Sequence, residues 1–135
     1  MKEFSKLGEY GLLWQGMALT GAVVDSRGRP QWLRAWAVIA GSFAVNQLVK
    51  LLFRRPRPDI PELPPLTGTM SNRSYPSAHA TTSAAAARVL PPLLGVQLYP
   101  LAVVMAISRL YLGVHWPSDT VAGFALGAAV AELGS

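Results

Sequence analysis

The chain has 135 residues, of which 51% are apolar, only 14% are charged and none is cysteine. The length fits one domain over residues 1–135. The charged share lies well below the ~25% usual for soluble domains, and disulfides, thiol catalysis and cysteine-held metal are excluded. A net charge of +5 comes with no recognisable nucleic-acid-binding module. The arginines fall instead at the ends of apolar runs, where lipid phosphate or an anionic substrate would meet them.

In chain order, residues 1–9 are polar and mixed in charge, which predicts an interfacial segment. Lys2, Glu3, Lys6 and Glu9 do not form the positive start and clean apolar core of a cleavable signal peptide. An uncharged run over 10–24 predicts a first helix, some 15 residues long and short of the ~20 needed to cross a bilayer squarely. Residues 25–30 form a turn in which Pro30 is placed to open a second helix over 31–53. Ser42, Asn46 and Gln47 interrupt its apolar centre. Facing lipid they would be costly, so they belong toward the interior of a bundle. Lys50 follows one turn after Asn46, on nearly the same face.

Pro56 and Pro58 end that helix, since proline excludes itself and its predecessor from helix interiors. Residues 59–75 hold Pro61, Pro64, Pro65 and Gly68 and read as a loop, long for a compact domain and so a candidate active-site loop or lid. Ser77 caps a third helix over 78–90, whose alanines at 84–87 permit close helix approach. Pro91 and Pro92 break it. A fourth helix over 93–111 stays uncharged until Arg109 and is expected to kink at Pro100. A turn over 113–116 leads into a fifth helix over 117–133, where Gly123 and Gly127 match the small-xxx-small packing pattern. The expectation is an all-α, integral-membrane bundle of about five helices, three or four of them spanning. Counting crossings places the 54–76 loop and the 112–117 turn on one side, with Arg27, Arg29, Arg34 and Arg88 against Asp25 alone on the other. The arginine-rich side is cytoplasmic by the positive-inside rule, so the first side faces outward.

Three cationic side chains, two imidazoles and a carboxylate sit at the ends of these segments. Lys50, Arg57 and Arg109 are the candidates for a cage around phosphoryl oxygens, the guanidinium groups giving paired donors and the ammonium a point charge. A plainer reading is interfacial arginine that snorkels to headgroups, and it is the one adopted for Arg27, Arg29, Arg54 and Arg55. Arg109, near the end of an apolar helix and two positions before an aromatic, instead demands a buried counter-anion. Ser77 opens a helix whose free N–H groups make an anion site, or it is an ordinary N-cap. His79, two residues on, is positioned to protonate a leaving oxygen. Asp119, four residues after His115, can accept from one imidazole nitrogen and aim the other at an electrophile. Alternatively Asp119 serves its helix N-terminus and His115 is a boundary aromatic. A shared metal site is a third possibility, discounted because converging cations would repel a divalent ion. No metal and no cofactor is expected.

In order, these motifs are Lys50-x6-Arg57-Pro58, then Pro76-Ser77-Ala78-His79, then Ser108-Arg109-x5-His115-x3-Asp119. The set resembles the type-2 phosphatidic acid phosphatase family, part of a superfamily with bacterial class A acid phosphatases and vanadium haloperoxidases. Its pattern is K-x6-R-P, P-S-G-H and S-R-x5-H-x3-D, and the likeness covers about residues 30–130. Ala78 stands where the family has glycine, which matters only if the position needs positive φ. The resemblance implies a four-helix core, usually within six helices, so that the family's first helix is missing here or replaced by residues 1–9. It implies His115 as the nucleophile forming a phosphohistidine, Asp119 as its orienter and His79 as the general acid. Lys50, Arg57, Ser77, the Ala78 N–H and Arg109 would hold the phosphoryl oxygens.

The leading expectation is an enzyme of a bacterial-type cell membrane that hydrolyses a lipid phosphate. Phosphatidate, phosphatidylglycerol phosphate, or a polyprenyl phosphate, diphosphate or phosphoribose would serve, with membrane lipids around it and no nucleic-acid partner. A vanadate-dependent haloperoxidase and a non-catalytic binder of anionic lipid are the alternatives.

Overall fold

A computed structural model describes residues 9–69 and 71–135. The polar start expected over 1–9 lies outside these residues, except for Glu9. Among the described residues six α-helices carry the chain. They are α1 (Leu12–Val24), α2 (Arg29–Leu52), α3 (Ala78–Val89), α4 (Pro91–Leu94), α5 (Tyr99–Tyr111) and α6 (Pro117–Gly134), preceded by a 3-10 turn at Glu9–Gly11. One isolated bridge, Pro56 to Arg73, ties the two ends of the long loop together.

α3 is the axis of the bundle. Residues 79–87 are buried without interruption, and α2, α5 and α6 pack around them. A helix covered on every face needs side chains small enough to admit neighbours all round, and this one is built of Ala, Thr and Ser after His79. Its hydroxyls find partners inside the bundle. Trp14 Nε1 donates to Ser83 Oγ at 2.9 Å, and Asn46 Nδ2 donates to Thr81 Oγ1 at 2.9 Å. The interior placement expected for the polar residues of α2 is found: Ser42 and Asn46 are buried, and half-buried Gln47 donates to Asn46 Oδ1 at 3.3 Å.

The small-xxx-small pair proves to be the closest seam. A Cβ added at Gly123 would run into the backbone carbonyl of Ser77, and one at Gly127 into that of Thr81. α6 thus lies directly on the backbone of α3. The expected fourth helix is corrected. It is two pieces, because Gly95 at φ 70° closes α4 with its N–H on the Pro91 carbonyl at 2.9 Å. Pro100 does not kink α5 but sits in its first turn, where no N–H is required.

The outer surface is apolar. Leu48, Leu51 and Leu52 of α2, Val103, Val104, Ile107 and Tyr111 of α5, and Val121 and Leu133 of α6 are all exposed. α2 has 24 residues and is the one helix among the described residues long and apolar enough to cross a membrane, while α5 is apolar but shorter. At the end far from the long loop, Arg88 pairs with Glu132 at 3.1 Å and Arg34 Nε donates to the Gly134 carbonyl at 3.0 Å. Glu132 therefore joins Asp25 among the arginines there. Arg29, expected to snorkel, instead donates through Nε to the Ala22 carbonyl at 2.9 Å near the end of α1.

The α3–α6 seam sets a prediction. Gly127→Val should destabilise the protein by about 1–3 kcal/mol or more, the usual cost of overpacking, read as a lower midpoint of thermal unfolding in detergent. An unchanged midpoint would mean that the seam is looser than described.

Candidate active site

Each candidate side chain arrives from the end of an element. Lys50 ends α2, Arg57 follows in the loop, Ala78 and His79 open α3, Arg109 ends α5, and His115 lies in the turn before α6. All six line one cavity of about 50 Å³, several times the ~10–15 Å³ that a single water requires. Lys50, His79, Arg109 and His115 are buried.

Lys50 and Arg57 are held by neutral groups. Lys50 Nζ donates to the Arg73 carbonyl at 3.2 Å. Arg57 donates through Nε to the Ser71 carbonyl at 2.8 Å and through Nη1 to the Val114 carbonyl at 2.7 Å. Its Nη1 also lies 3.4 Å from His115 Nε2. Arg57 therefore fixes the turn that carries His115.

His115 Nδ1 points at Asp119, 3.6 Å from Oδ2, and is buried with no other hydrogen-bonding partner among the described residues. That separation is slightly long for a hydrogen bond. Burial pushes the imidazole pKa down to about 4; Asp119 works in the opposite direction, and Arg57, Lys50 and Arg109 push it further down. The ring is neutral at ordinary pH. Asp119 is fully buried and also serves its helix, since Oδ2 accepts the Trp116 N–H at 2.8 Å. The two readings of this residue coexist in one side chain.

Two expectations are modified. Ser77, expected at the phosphate, does not line the cavity. It is buried as the N-cap of α3, with Oγ 3.5 Å from the Ala80 N–H, and its own N–H donates to the Asp119 carbonyl at 2.9 Å. Ala78 has ordinary helical backbone, so alanine in place of glycine brings no strain here. Arg55, assigned to headgroups, turns inward. Its Nη1 lies 3.1 Å from Asp119 Oδ1 and 2.6 Å from Ser118 Oγ, and its guanidinium sits 5.6 Å from the centre of the Trp116 ring. The Arg55 side chain remains partly exposed while its tip reaches the buried carboxylate.

Residues 31–134 match the PAP2 superfamily. The chain belongs to that superfamily. It is 44% identical over 131 residues to decaprenylphosphoryl-5-phosphoribose phosphatase of Mycobacterium tuberculosis, covering 96% of this chain and 73% of that protein. It is 30% identical over 133 residues to lipid A 1-phosphatase of Rhizobium johnstonii, covering 87% of this chain and 54% of the relative. The crystal structure of a transmembrane PAP2-type phosphatidylglycerolphosphate phosphatase from Bacillus subtilis matches with a TM-score of 0.80 at 27% identity, over 98% of this chain and 71% of that one. The fold is the helical bundle of a PAP2 membrane phosphatase, and the chain is a phosphatase of that type.

Arg55 gives the site's own prediction. Arg55→Gln should lower kcat by roughly tenfold to a hundredfold, the scale of a small misplacement of reacting groups. KM should stay near its starting value, and Arg55→Lys should recover part of the loss. Steady-state kinetics in detergent read the result; a change confined to KM would place Arg55 at the substrate instead.

Proposed function

We propose that this PAP2 phosphatase hydrolyses a lipid phosphomonoester, of the polyprenyl phosphosugar class, through a phosphohistidine on His115, with residues 1–135 acting as one domain. The observation that carries the reading is the shared cavity, in which both imidazoles and three cations face one small space. The names of the relatives at 44% and 42% identity support the substrate class, since both are decaprenylphosphoryl-5-phosphoribose phosphatases.

In this reading the phosphoryl oxygens sit among Lys50, Arg57, Arg109 and the N–H of Ala78. His115 Nε2 attacks phosphorus while the bond to the leaving oxygen breaks, and His79 gives that oxygen its proton. Water then attacks the phosphohistidine, His79 takes the proton from the water, and phosphate leaves with His115 restored. Asp119 steadies the imidazole through Nδ1 as charge develops on it. Fixed positive charge is the main tool of phosphoryl transfer, and here it comes from side chains. The surrounding lipid holds the apolar tail, and no nucleic acid takes part. The cavity faces outward, a reading supported by Arg27, Arg29, Arg34 and Arg88 at the opposite end of the bundle.

The test is phosphate release from a polyprenyl phosphosugar by the purified protein in detergent. His115→Ala should abolish release. His79→Asn should let an acid-labile phosphoprotein build up that is absent when His115 is also replaced. Activity should persist in EDTA; loss in EDTA with rescue by Mg²⁺ would overturn the metal-free account.

The pH dependence follows from the buried nucleophile. Protonation removes the attacking lone pair, so activity falls as pH drops through the His115 pKa of about 4. The acid limb of kcat/KM, which reports the free enzyme, should therefore lie near pH 4, well below the ordinary imidazole range. A limb at 6.5 or above would show that His115 is not desolvated as described.

A further inference from the structure

Part of the cavity wall is named by no motif. Glu9, Tyr10, Phe43 and Gln47 form it. Tyr10 holds φ at 54° and Gly11 at 68°, a backbone region that residues with a side chain rarely adopt. The surroundings fix this turn firmly. Gln15 Nε2 donates to the Tyr10 carbonyl at 2.8 Å. The Tyr10 ring packs against Phe43 with centroids 5.9 Å apart and planes tilted by 54°. Gly11 is pressed onto α3, where an added Cβ would lie 2.9 Å from the Thr82 side chain. Thr82 Oγ1 in turn donates to the Ala78 carbonyl at 3.1 Å. The turn therefore stands beside the first two turns of α3, on the His79 side of the cavity.

In-line phosphoryl transfer puts the leaving oxygen opposite the attacking atom. His115 Nε2 is held beside Arg57, and this turn lines the same cavity as both imidazoles. We infer that Glu9, Tyr10, Phe43 and Gln47 form a leaving-group subsite that takes a neutral, hydroxyl-bearing ring next to the leaving oxygen and disfavours a second phosphate bonded directly to the one cleaved. The inference rests on the reading of His115 as nucleophile. The aromatic pair offers a flat apolar wall for the ring's carbon face. The Gln47 amide nitrogen is engaged by Asn46, which leaves its oxygen as an acceptor, and the Glu9 carboxylate is an acceptor only. Both suit hydroxyl donors. A phosphate bonded directly to the one being cleaved would meet the Glu9 carboxylate, which also faces Arg109, as a like charge, after the cage cations have been used by the first.

The test uses the full chain in detergent with three substrates on one prenyl chain: a phosphoryl-pentose 5-phosphate, the simple monophosphate and the diphosphate. Tyr10→Ala and Gln47→Ala should each lower the ratio of kcat/KM for the sugar-bearing over the sugar-free monoester by about tenfold, the scale on which sites built to hydrogen-bond a hydroxyl begin to discriminate. Tyr10→Phe should keep that ratio. Glu9→Gln should raise kcat/KM for the diphosphate relative to the sugar-bearing substrate by a similar factor. A uniform fall on all three substrates would show a merely structural turn and overturn the subsite. Silence of the unmodified protein on all three would instead overturn the underlying phosphatase mechanism, a separate result.

Discussion

The site exists because two helices begin at the same point. The Ser77 N–H donates to the Asp119 carbonyl at 2.9 Å, so the start of α3 and the start of α6 are one joint. Gly123 and Gly127 let α6 lie against the backbone of α3 at Ser77 and Thr81 and keep that joint closed. His79 follows Ser77 by two residues and His115 precedes Asp119 by four. The relation of the two imidazoles is therefore set first by helix packing, with Arg57 of the loop holding the turn that carries His115. Packed helices are stiff compared with loops, and stiffness is what an acid and a nucleophile on opposite sides of one phosphorus need.

The loop has a different task. It supplies the Ser71 and Arg73 carbonyls that hold Arg57 and Lys50. A carboxylate in either place would neutralise its cation and lower its value to an anionic substrate. A carbonyl satisfies the donor and orients it while leaving the net charge intact. Burying cations without counter-ions is costly, and an arriving phosphoryl group removes much of that cost. The same reasoning fits the exposed apolar side chains along the helices: the buried cations are gathered at one end of the bundle, and the helix flanks are left apolar.

Much of this was legible in the sequence because the chemistry lies at helix ends, and helix ends are marked by proline, glycine and serine. Pro56, Ser77 and Pro117 placed their boundaries well. The small-xxx-small pair and the inward Asn46 followed from packing and desolvation rules that act over one turn. What escaped depended on longer range or on backbone dihedrals. The break at Gly95 needed a left-handed residue that an apolar pattern over 93–111 concealed. The Glu9–Gly11 turn needed two such residues in succession, and its partners, Phe43 and Thr82, are distant in sequence. Arg55 was hidden among three arginines in four residues.

Arg55 and Arg57 then divide the electrostatics between them. Arg55 pairs with a carboxylate and Arg57 with carbonyls, so one compensates charge behind His115 while the other adds it in front. Asp119 is shared among the Arg55 guanidinium, the Trp116 N–H and the His115 ring. A carboxylate so engaged directs an imidazole without making it strongly basic, and burial keeps the ring neutral. In the proposed mechanism a more basic His115 would carry a proton before substrate arrived and could not attack. An imidazole with no carboxylate behind it would have nothing to steady the positive charge it gains in forming the N–P bond. The second arginine resolves that conflict by moderating Asp119 from outside the cavity, where it does not compete for the phosphate.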